Sequence, residues 1–225
     1  MNSLKMINVQ AAVFTNDYIS RPDTLYYKVL SSINEIIDLP PVINNIPEEV
    51  PVEIPRVMGS SKDNKYQLNI ARNRIDLFIN FIEDEADNEN NYSLFKSLTN
   101  SLCSQVSSIL GINRIGIITT SVSLDDNLKG KFVDDYLKKV DKENLTEAEY
   151  RTNNIKEHKG RLINNIIKIQ SGEIQSPIFN ADCLLVQLDS NNKTLLNDRK
   201  EWIEVLDHLF ERSSPFVAEK AIKGD

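Results

Sequence analysis

The chain has 225 residues, 40% hydrophobic and 26% charged, with 33 acidic against 26 basic residues and a formal charge of −7. That length can bury a sizeable core without disulfide or metal staples, and that composition belongs to a globular protein rather than a disordered one. The acidic balance argues against a chain whose main task is to coat nucleic acid, since phosphate neutralisation calls for a basic surface. No apolar run approaches the ~20 residues of a membrane helix, and the first residues lack the compact apolar block of a secretory signal. A cytoplasmic location is expected. Asn, Ile and Lys are common and Gly scarce, a bias expected of an AT-rich bacterial or phage genome.

In chain order, Ile7, Val9, Ala11 and Val13 recur at every second position and predict a first strand. Leu25, Val29, Ile33, Ile36 and Ile37 form a helical stripe with Asp23 as N-cap, stopped by Pro40-Pro41. Residues 40–58 form an extended arm, with prolines at 40, 41, 47, 51 and 55. It either docks on a partner or hugs its own domain as an edge segment on the way to a strand at Arg56–Met58. Gly59–Lys65 reads as a loop.

The most legible unit is 66–122. Tyr66, Leu68 and Ile70 alternate with polar residues, and so do Ile75, Leu77, Ile79 and Phe81. Only Ala71 and the tripeptide Arg72-Asn73-Arg74 separate the two runs, so an antiparallel hairpin with Asn73 at its tip follows. An acidic, Asn-rich link leads to a helix carrying Tyr92, Phe95, Leu98, Leu102, Val106, Ile109 and Leu110, with Gly111 as C-cap. Residues 112–122 are rich in β-branched side chains and predict a strand. The order is strand, strand, helix, strand.

Further on, Leu128–Val140 predicts a helix, Asp141–Thr146 a polar link, and Tyr150–Gln170 a hairpin turning near His158–Gly160. Asp182–Leu188 reads as a buried strand closed by the turn-like Asp189-Ser190-Asn191-Asn192. A helix follows with Trp202, Val205, Leu206, Leu209 and Phe210 on its stripe and Asp198 as cap; Ser213-Ser214-Pro215 breaks it, and Phe216–Glu219 extends as a short arm. Period-2 strands with one polar side exclude a doubly wound parallel sheet. The expected fold is a single α+β domain, residues 1–225, with a curved, mainly antiparallel sheet and three to four helices chiefly on one face.

Catalytic signatures are missing. His158 and His208 have no second ligand at zinc spacing, and the run 83–89 lacks the glycine and closing glutamate of an EF-hand loop. No GxSxG elbow, GxxxxGK[ST] or GxGxxG loop occurs. Cys103 and Cys183 fall in apolar segments and read as small core residues. No metal or cofactor is expected. The binding candidates are Arg72, Asn73 and Arg74, because two guanidiniums at a hairpin tip in an acidic chain can grip a carboxylate or phosphate of a partner. Replacing both arginines is expected to leave thermal stability nearly unchanged.

The succession of a Pro-rich arm, the YQLNIARNRIDLFIN hairpin, the Tyr92-led helix, the INRIGII and LLVQLDS strands and the WIEVLDHLFERSSPFVAEKAI end resembles a sporadically distributed bacterial family of uncharacterised function and similar length. Leu184–Asp189 fits that family's pattern of a late strand ending in Asp; Ile112–Ile118 departs from its usual LRYIN strand. The resemblance implies an α+β fold, a bacterial source and, through the sporadic distribution, a mobile-element or phage-defence setting. It transfers no catalytic residues. The leading functional expectation is a non-catalytic binding or assembly component that pairs with itself through a sheet edge or the arm and binds another protein. The alternatives are a metal-dependent enzyme acting on nucleotides or nucleic acid, and a nucleotide or nucleic-acid sensor without chemistry. A basic surface around Arg72, Arg74 and Arg114 would favour the sensor.

Overall fold

A computed structural model describes residues 4–81, 87–136, 147–175, 180–198 and 200–223. Among these residues nine strands and five helices follow in chain order as β1 (Lys5–Thr15), α1 (Pro22–Ser32), β2 (Val42–Ile43), β3 (Val57–Ser60), β4 (Tyr66–Ile70), β5 (Arg74–Asn80), α2 (Asn88–Ile109), β6 (Ile112–Ser123), α3 (Asp126–Tyr136), β7 (Ala148–His158), β8 (Arg161–Gln175), β9 (Asn180–Asn192), α4 (Glu201–Arg212) and α5 (Pro215–Lys223). The strands form one open sheet in the order β2-β3-β4-β5-β1-β6-β9-β8-β7, every neighbour antiparallel. The α+β class and the antiparallel sheet agree with expectation, and the five helices among the described residues are close to the three to four expected.

The period-2 pattern explains why the helices gather on one side. Val9, Ala11 and Val13 of β1 share a face with Ile75, Leu77 and Ile79 of β5 and with Ile115 and Ile117 of β6, all of them fully buried. They form one core with Tyr26 and Val29 of α1, Phe95, Leu102 and Val106 of α2, and Val205, Leu206, Leu209 and Phe210 of α4. A second cluster joins Ile169, Leu184, Val186 and Leu188 of β8 and β9 to Phe132 of α3 and to Ala218 and Ile222 of α5. The connector between α4 and α5 is pinned to the same side. Ser213 donates through Oγ to the Ile117 carbonyl (3.1 Å), and its own carbonyl accepts from Thr119 Oγ1 (2.9 Å).

Several local readings need correction. Asp23 does not cap α1: the N-cap is Arg21, Pro22 opens the helix, and Asp23 lies in its first turn, paired with Arg21 at 2.7 Å. Helix α2 starts four residues early because the Asp87 carboxylate accepts from the Glu89 N–H. It ends on an extended Leu110, so Gly111 supplies no left-handed cap. Gly59 and Ser60 belong to β3 rather than to a loop. Asp189–Asn192 is strand, not turn. It pairs with β6 and β8, and Asn192 completes the ladder with its side chain, accepting from Ile115 N–H (2.6 Å) and donating to the Asn113 and Thr194 carbonyls. Lys200, not Asp198, precedes α4. Residues 215–223 are helical rather than extended, since Ser213-Ser214-Pro215 ends one helix while Pro215 starts the next. The Pro-rich arm folds back on its own domain: Val42 and Ile43 pair with β3, and the Arg56 guanidinium donates to the carbonyls of Ile46 and Pro47. The acidic run at 83–86, the helix end at 137–140 and the link at 141–146 lie outside the described residues.

Candidate functional site: the open face of the sheet

The same alternation that packs one side of the sheet makes the other polar. Asn8, Gln10, Ala12 and Phe14 of β1 share a face with Asp76 and Phe78 of β5, Gly116 and Ile118 of β6, and Asp189 and Asn191 of β9. Among the described residues no helix packs on this face. One row across it consists of Asp76, Ala12, Gly116 and Asn191, all buried although no element of the described residues lies over them, because they are short and their neighbours are long. They make the floor of a shallow trough.

Above that floor stands Phe14. It lies opposite Arg74 on one side and Arg114 on the other, with the guanidinium carbons 5.0 and 5.5 Å from the ring centroid. Such contacts favour the cation by about 0.5–1 kcal/mol at exposed sites and by more when desolvated. Each arginine is held from below. Arg74 reaches Asp76 through Nε (2.9 Å) and Nη2 (2.7 Å), and Gln10 donates to the same carboxylate oxygen at 2.8 Å. Arg114 donates through Nη2 to Asn191 Oδ1 (2.8 Å), which also accepts from Asn164 (3.0 Å), while Asn191 Nδ2 donates to Asp189 (2.8 Å). The two differ in charge balance. Arg74 is neutralised by a carboxylate; among the described residues Arg114 meets none, and its buried Nε finds no hydrogen-bond partner there.

The structure divides the three candidates at the hairpin tip. Arg72 is committed to the loop after β1, donating to the carbonyls of Ile19 (3.1 Å) and Ser20 (2.7 Å) and lying 5.0 Å from the Tyr18 ring. Asn73 accepts a backbone hydrogen bond from Thr15, and its side-chain oxygen is buried without a partner among the described residues. Arg74 alone of the three is on the open face, where Arg114 joins it. The expectation that Arg72 and Arg74 can be removed without cost therefore changes, because both make charge-assisted bonds inside the chain. Phe14, Asp76 and Asn191 were missed. Phe14 had a readable signal: it is the one aromatic residue on the polar phase of β1.

Elsewhere, the two histidines meet across the fold, their rings stacked 4.0 Å apart at 10°. His208 is held below its ordinary value chiefly by burial and then by the neighbouring His158. Burial pushes the Cys103 thiol up to about 12. Cys103 and Cys183 are both free and buried. Among the described residues no three of His, Cys, Asp and Glu converge where a metal ion could sit, and no helix is long and apolar enough to cross a membrane. No family model matches the chain, and no curated protein matches it.

Proposed function

We propose that the protein is a non-catalytic binding component whose open sheet face receives an acidic segment of another protein. The observation that carries this reading is the clamp of Arg74 and Arg114 about Phe14. It is a pre-organised aromatic and cationic centre in which one guanidinium lacks a counter-charge. A guanidinium fork suits a carboxylate, and holding it in advance lowers the entropy lost on binding. A protein partner fits better than nucleic acid because Asp76 and Asp189 share the face and interrupt any basic track among the described residues. Single-stranded nucleic acid is the second reading, favoured by Arg151 and Lys168 farther along the same face. In the bacterial setting that the sequence resemblance implies, such a component belongs to a larger complex, in mobile-element biology or phage defence.

The test compares co-purification from the source cells of wild type and Arg114→Ala, with and without nuclease, at low and moderate salt. Arg114→Ala leaves the Arg74–Asp76 pair in place and removes one hydrogen bond, to Asn191, so circular dichroism and thermal melting of both proteins accompany the comparison. Loss of a protein partner that survives nuclease treatment is the expected result. Partner recovery equal to wild type, with both proteins folded, would overturn the assignment; loss only on nuclease treatment would transfer it to nucleic acid.

A further inference from the structure

The two edges of the sheet are built differently. At one end β2 is two residues long and lies among the prolines of residues 40–55, which is how natural sheets blunt an edge. At the other end β7 runs for eleven residues without proline, glycine or a break in its register against β8. We infer that this second edge is a self-association site: a second copy of the chain pairs with it, β7 against β7, around a two-fold axis perpendicular to the sheet. This inference does not depend on what the open face binds.

Backbone and charge together select the register. His158 and Arg161 close a two-residue turn in which Lys159 and Gly160 both have positive φ, so the even-numbered residues of β7 bond inward to β8. The odd-numbered ones, Glu149 to Glu157, turn their N–H and C=O groups to the outer edge, where no strand of the described residues pairs with them. A two-fold perpendicular to the sheet keeps facing side chains on one surface, which allows only pairings between residues of like parity. Among these, the register that places Asn154 opposite Asn154 of the partner subunit sets Arg151 against Glu157 of the partner subunit, twice by symmetry. A slip of one residue on each strand centres the pair on Asn153 and sets Glu149 against Glu157 of the partner subunit, a like-charge contact. Arg151 has reason to take this partner. Across β8 it faces Lys168, whose own ion pair is with Glu149 at 3.0 Å. Neither Arg151 nor Glu157 has an ion-pair partner among the described residues, and both are exposed. The dimer would join nine strands from each copy into one sheet, with both open faces on the same side.

Light scattering across micromolar to hundred-micromolar concentration reads the association. Three sets of variants read its geometry. Asn153→Pro deletes an outward N–H without touching the β8 ladder, so it should yield a folded monomer that melts where wild type does at concentrations low enough for wild type to be monomeric. Arg151→Glu should weaken the dimer at least tenfold, and Arg151→Glu with Glu157→Arg should restore it. Asn154→Cys lies on the axis at a non-hydrogen-bonded position, where Cα atoms approach to about 4.5 Å, and should cross-link on mild oxidation, whereas Asn153→Cys should not. A wild-type monomer throughout that range would overturn the inference. So would a dimer indifferent to Asn153→Pro and to the charge reversal. Either failure leaves the effect of Arg114→Ala on partner recovery as it was.

Discussion

Gly59→Ala tests how helix α1 is seated. Gly59 lies in β3 on the helix-covered side, and a Cβ there would stand 1.9 Å from Tyr26 Oη, 2.7 Å from Cζ and 2.9 Å from Cε2. Tyr26 is fully buried in the core with Val29 and Leu68. The obstacle is a ring wedged between α1 and the sheet rather than the free end of a flexible side chain. Relief requires α1 to move outward or the ring to leave its rotamer. Overpacking of this kind costs about 1–3 kcal/mol, and the depth of this overlap places Gly59→Ala at the upper end. Urea unfolding of wild type, Gly59→Ala, Tyr26→Phe and the double variant gives the cycle. Tyr26→Phe removes the nearest contact but leaves Cζ too close, so it should recover only part of the loss. Because the Tyr26 hydroxyl is buried with no partner among the described residues, Tyr26→Phe alone should be neutral or stabilising by up to about 1 kcal/mol. A Gly59→Ala variant within about 0.5 kcal/mol of wild type, or one whose cost ignores residue 26, would refute this packing.

In α2, Leu102 is fully buried while Ser104 is exposed. Leu102→Ala should therefore cost about 2–5 kcal/mol, and Ser104→Ala about 0.5 kcal/mol or less in the same denaturation assay; the reverse ranking would contradict the helix phase. His208 titrates below its ordinary value of about 6.5, because burial and the stacked His158 outweigh the nearby Glu211 carboxylate. The unfolded chain then takes up a proton before the folded one does. The stability from a neutral His208 is complete above pH 6.5 and declines as pH falls through the folded value. Urea titrations at pH 7.5 and 5.5 should show this loss, and His208→Gln should reduce the difference. Cys103, buried and with its thiol held at about 12, should resist alkylation in the native state and react once denatured.

Where one periodicity governed a segment, the sequence was enough. The β4–β5 hairpin, α2 and β6 are legible because their apolar positions repeat cleanly and each run ends in polar or turn residues. The β7–β8 hairpin was legible from Lys159-Gly160. Errors cluster where tertiary bonding overrides local preference. Asp189–Asn192 has turn chemistry, yet the two neighbouring strands and the side-chain bonds of Asn191 and Asn192 hold it extended. Phe216–Glu219 followed a helix breaker and reads as an arm, but a buried seat for Ala218 and Ile222 makes α5 worth forming. The site was half visible for the same reason. Arg74 and Arg114 can be named from sequence as basic positions, but Phe14 brings them together only through the pairing of β1 with both β5 and β6, a long-range register no local pattern states. Arg72, equal to Arg74 in sequence, is claimed by the carbonyls of Ile19 and Ser20.

Site-specific photocrosslinking in the source cells tests the open face most directly. A photoreactive phenylalanine at Ile118, which lies on that face between Gln10 and Asp189, is compared with the same probe at Ser104 on the exposed side of α2. The proposed function predicts a discrete protein adduct from position 118 that disappears when Arg114→Ala is added, and none of that mass from position 104. An adduct formed from position 104 and not from 118 would contradict it.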